Sequence, residues 1–70
     1  MTRDEWIEAF ARELGVEPPT LEEAEKLLAL AGTAAHSSER TAAPLACWIA
    51  GVAGASIEDF LAAAERVNAG

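Results

Sequence analysis

Three short hydroxyl-to-carboxylate triplets constrain this chain more than any other feature. Thr2 precedes Glu5, Thr20 precedes Glu23 and Ser56 precedes Asp59, and each pair opens a segment rich in apolar residues. In such a capping box the hydroxyl accepts a backbone N–H bond at the third helical position while the acid reaches back to the cap amide. Helices therefore start near residues 3, 21 and 57. The segments after these starts are rich in alanine, the strongest helix former, and Val, Ile and Thr are sparse, so sheet is disfavoured.

Periodicity fills in the segments. Trp6, Ile7, Phe10, Ala11 and Leu14 fall on one helical face, and Gly15 suits the left-handed position beyond the end, giving a first helix over about 3–14. Pro18 and Pro19 block any continuation. Ala24, Leu27, Leu28, Ala31, Ala34 and Ala35 make the stripe of a second helix over about 21–35, with Gly32 inside its last turns. Ile57, Phe60, Leu61, Ala64 and Val67 line a last helix over about 57–68.

Between these lies the segment Thr41–Ser56, which carries no acid or base other than the Cys47 thiol. It is shorter than the roughly 20 apolar residues that cross a bilayer, so it reads as a third helix, about 42–54, buried nearly all round. Pro44 is tolerated only in its first turn. Ala43, Cys47, Gly51 and Ala55 recur every fourth residue beside Ala46, Ala50 and Gly54, and these small rows let a neighbouring helix approach closely. Short connectors make antiparallel neighbours the default. The expected fold is all-α: one compact antiparallel four-helix bundle with helix three at its centre.

Charge and side-chain chemistry exclude several functions. Twelve acidic against five basic residues give a net charge of -7, and Arg3, Arg12, Lys26, Arg40 and Arg66 are scattered, so no basic face meets nucleic acid or an anionic membrane. One histidine and one cysteine on different elements make neither a metal site nor an evident nucleophile pair. No glycine-rich phosphate loop is present, and no cofactor is expected. The opening Met1-Thr2-Arg3-Asp4-Glu5 lacks the layout of an export signal, so a cytoplasmic location is expected. Catalysis is not.

The remaining constellation is His36, Arg40 and Pro44, at the passage from helix two to helix three. A histidine in a last turn can meet free carbonyls, and an arginine just before a helix start can join its amides in binding an anion, such as a carboxylate or phosphate on a partner. A helix cap with an exposed arginine is the plainer explanation.

The run Ala35-His36-Ser37-Ser38-Glu39-Arg40-Thr41-Ala42-Ala43-Pro44-Leu45, followed by Trp48-Ile49-Ala50-Gly51, resembles a small bacterial family of domains of unknown function. Its members pair an opening helix bearing an acid, a tryptophan and a hydrophobe with a His-x3-Arg-x3-Pro-Leu junction, and occur alone or attached to molybdenum cofactor guanylyltransferase. The likeness spans Asp4–Gly15, His36–Gly51 and the closing helix through Val67. It implies a link to molybdenum cofactor biosynthesis, with a guanylyltransferase or molybdoenzyme as protein partner and His36, Arg40 and Trp6 as interaction residues. The variable Ser37, Ser38 and Glu39, and Cys47 and Trp48 beyond them, speak against a tight small-molecule pocket. Two other readings stay open: a small acidic carrier with Ser56 as attachment point, and a structural homodimer built on helix three or an exposed tryptophan.

Overall fold

The structure, a computed structural model, describes residues 1–69. These form four helices and no strand: α1 (Arg3–Leu14), α2 (Leu21–Ser37), α3 (Ala42–Ala53) and α4 (Ile57–Ala69). The local signals explain the starts. At α1 the Thr2 hydroxyl accepts from the Glu5 amide at 3.1 Å, and the Glu5 carboxylate accepts from the Thr2 amide at 2.7 Å. The Thr2 amide, and after it the Thr2 side chain, hold the Glu5 carboxyl below its ordinary value of 4.5. Thr20 and Glu23 repeat the reciprocal pair at 2.8 and 3.1 Å. At α4 the Ser56 hydroxyl accepts from the Asp59 amide at 3.2 Å.

The ends are equally local. Gly15 takes φ 71°, and the amides of Gly15 and Val16 donate back to the carbonyls of Arg12 and Ala11, which closes α1 in a Schellman turn. α2 runs two residues past the expected Ala35, because the Ser38 hydroxyl donates to the Ala34 carbonyl at 2.8 Å and supports the extra turn. That bond does the job the sequence suggested for His36. α3 stops one residue early, at Ala53, where Gly54 adopts φ 65°.

The packing centres on α2, which lies against both α3 and α4. Its buried residue is Leu30, which the sequence stripe left out: a helix flanked by two neighbours buries a wider arc than one stripe. Among the described residues the buried apolar set is Ala11, Leu30 and Ala50. The radius of gyration, 12.8 Å, exceeds the roughly 11 Å of a compact chain this long.

Helix three corrects the expectation. It is not buried nearly all round: Leu45, Trp48, Ile49 and Val52 are 64, 70, 62 and 66% exposed. Small residues face inward instead, with Ala50 buried and Ala43, Ala46 and Cys47 half-buried. The reason is steric, because short side chains let the backbone of α3 come close to α2, and the large ones must then point away. The small rows thus serve packing within the chain.

Candidate functional site

Cys47 belongs to that inward face. It is half-buried, with Sγ 3.9 Å from the Leu27 carbonyl, and behaves as a small packing residue. On the opposite side Leu45, Trp48, Ile49 and Val52 recur at spacings of three, one and three, which lines them up along one edge of the helix. No charged side chain interrupts α3. The sequence placed these four in the core; their signal was the row of small residues a half-turn away.

Beside this stripe runs a groove of about 710 Å³. Leu30 and Ala50 belong to its floor, Ile49 and Ala53 to the α3 side, and Phe60 and Ala64 to the α4 side. Ile49 is therefore shared between stripe and groove, and the two are continuous; the groove is mainly apolar but also takes in Asp59, Asn68 and the hydroxyls of Thr33, Ser37 and Ser38.

The α2–α3 junction holds two of the candidate interaction residues. His36 lies in the last turn of α2 and is exposed, as is Arg40 in the turn that follows. Among the described residues neither side chain makes a hydrogen bond or an ion pair, the ion pair present being Arg3 with Asp4 at 2.9 Å. The amides of α3 do not add an anion cradle beside Arg40. Ala42 and Ala43 donate to the carbonyls of Glu39 and Arg40 at 2.9 and 3.1 Å, and Pro44 has no N–H to offer. Neither of those two amides is free to join Arg40 on an anion.

Trp6, the third candidate, is not part of that junction. It stacks on Phe10 of its own helix, with ring centroids 5.1 Å apart, and is 53% exposed. α1 borders the first half of α2 across a cavity of about 350 Å³, lined by Ile7, Pro19, Ala24 and Leu28 among others. His36 sits at the far end of α2, beyond two further turns of helix.

Among the described residues no cluster of three or more His, Cys, Asp or Glu side chains could hold a metal ion, and no helix is long and apolar enough to cross a membrane. With this geometry in place, comparison with known proteins places the fold in a family. The model of a domain of unknown function, DUF6457, matches residues 1–69. The chain belongs to that family. The match takes in α1, the α2–α3 junction and α4 of this DUF6457 domain together. No curated protein and no solved structure matches it.

Proposed function

We propose that this DUF6457 domain acts without catalysis, as a docking module for another protein in molybdenum cofactor biosynthesis. The observation that carries the reading is the outward face of α3: four large apolar side chains, free of charge, leading back to a junction where His36 and Arg40 have no partners among the described residues. Apolar surface of this kind marks interaction sites when it is contiguous. His36 and Arg40 supply the polar edge, suited to a carboxylate or phosphate on the other protein. The turn between Ser37 and Ala42 supports an antiparallel run of α2 and α3, which keeps that edge at one end of the molecule.

The partner expected from the resemblance is a molybdenum cofactor guanylyltransferase, or a molybdoenzyme downstream of it, in the cytoplasm. The test is titration calorimetry of the purified domain against the purified guanylyltransferase. A micromolar complex is expected, weakened at least about tenfold, or about 1.4 kcal/mol, when His36→Ala and Arg40→Ala are combined, with the far-ultraviolet circular dichroism unchanged. Absence of any complex with the guanylyltransferase, and with a molybdoenzyme titrated in the same way, sinks the molybdenum link. Equal affinity of the double variant removes His36 and Arg40 from the site.

A further inference from the structure

We propose that a second copy of this chain covers the outward face of α3 and the groove beside it, forming a closed two-fold dimer in solution. The inference rests on the reading of α3 as a docking face and names a second copy as its occupant when the other protein is absent, the two competing for the same face. Area is the first argument. The chain exposes 5505 Å², whereas a folded monomer of 7.3 kDa exposes about 4,200 Å², a surplus of about 1,300 Å². A standard protein interface removes about 800 Å² from each partner. The surplus, counted over the whole chain with the exposed side of α1 included, is of the size that one interface per copy removes.

Charge is the second argument. Each copy carries -7, so two copies repel unless they meet where carboxylates are absent. The acidic residues of the other helices lie in and beyond their first turns, whereas α3 has none. A two-fold contact sets the same patch against itself; the α3 stripe can do so without placing like charges opposite one another, provided its axis runs along α3 and keeps the Asp59 carboxylates of the two grooves apart.

Spacing is the third. Leu45, Trp48 and Val52 follow the three-then-four rhythm of a helix–helix seam, and Ile49 carries the contact over into the groove walled by Phe60 and Ala64. Burial inside one copy leaves only Ala11, Leu30 and Ala50 shielded among the described residues. A chain this small commonly gains the rest of its stability by association.

The experiment is sedimentation velocity of the full chain from low to several hundred micromolar. The expected mass is twice 7.3 kDa. Trp48→Glu should return it to the single-chain mass with helical circular dichroism retained, since that side chain packs little within one copy. Leu14→Glu, which adds the same charge on the exposed end of α1, should leave the dimer intact. Trp48→Ala guards against misfolding of the charged variant and should raise the dissociation constant at least about tenfold. A single-chain mass at every concentration overturns the proposal, as does a dimer that survives Trp48→Glu or a mass that grows without limit. A single-chain species that still binds the guanylyltransferase would defeat the dimer while sparing the docking module; one that binds nothing defeats both.

Discussion

α1 and α3 are each 12 residues long, each buries one alanine, and each shows an exposed tryptophan, yet they deal with water in opposite ways. In α1, Trp6 lies against Phe10, and Arg3, Asp4, Glu5, Glu8, Arg12 and Glu13 surround the pair with charge. In α3, Leu45, Trp48, Ile49 and Val52 stand together without one charged neighbour on the helix. An apolar stripe flanked by carboxylates is kept soluble by its own helix. One without them is left to be covered by something else, and that difference, more than exposure as such, singles out α3.

The largest test of the comparison concerns the helix beneath both α3 and α4. Leu30 is 6% exposed, so Leu30→Ala should lower unfolding free energy by about 2–4 kcal/mol, seen as a shift of the urea midpoint. A loss below about 1 kcal/mol would mean that α3 and α4 are not held through α2, and the contrast between its inner and outer faces would collapse.

Next in size is the contrast between the two faces of α3 itself. Ala50→Leu inserts bulk where α3 meets α2 and should cost about 1–3 kcal/mol. Trp48→Ala, measured at a dilution where a single chain sediments, should stay within about 0.5 kcal/mol of the parent. Equal losses in the two variants would place Trp48 inside the folded chain.

A smaller effect separates the starts of the two helices. Thr2→Ala removes a hydroxyl that accepts from Glu5 and should cost about 1 kcal/mol. Thr41 makes no side-chain cap bond, so Thr41→Ala should be close to neutral by thermal melting. If both alanine variants melt alike, the capping box of α1 is not formed in solution.

The smallest effect is a pH dependence confined to α1. The Glu5 carboxyl is depressed in the folded state, so its contribution is present above its ordinary value of 4.5 and is lost as pH falls through the lower folded value. Melting curves of Glu5→Gln and the parent should converge on acidification and separate toward neutrality. α3, which has no titrating acid or base besides Cys47, provides no counterpart.

The site was only partly legible. His36 and Arg40 were found because a helix end followed by a proline-started helix is a local pattern, and both lie at that junction. The resemblance groups Trp6 with them, whereas the fold sets it on α1, which borders the other end of α2 through Ile7 and its neighbours. The stripe of α3 reads from the residues as core, because a helix without charges carries no polar mark for its outer side. Both faces of such a segment look equally suited to burial.

The starts of α1, α2 and α4 and the end of α1 are legible in the residues alone, since each rests on bonds between residues three to five apart: Thr2 with Glu5, Thr20 with Glu23, Ser56 with Asp59, Val16 with Ala11. Which way α3 turns is settled by packing against the other helices. Its small residues allow close approach to α2 and its large ones make contacts elsewhere, and the balance between those two gains depends on where α2 and α4 stand. No pattern within α3 contains that information.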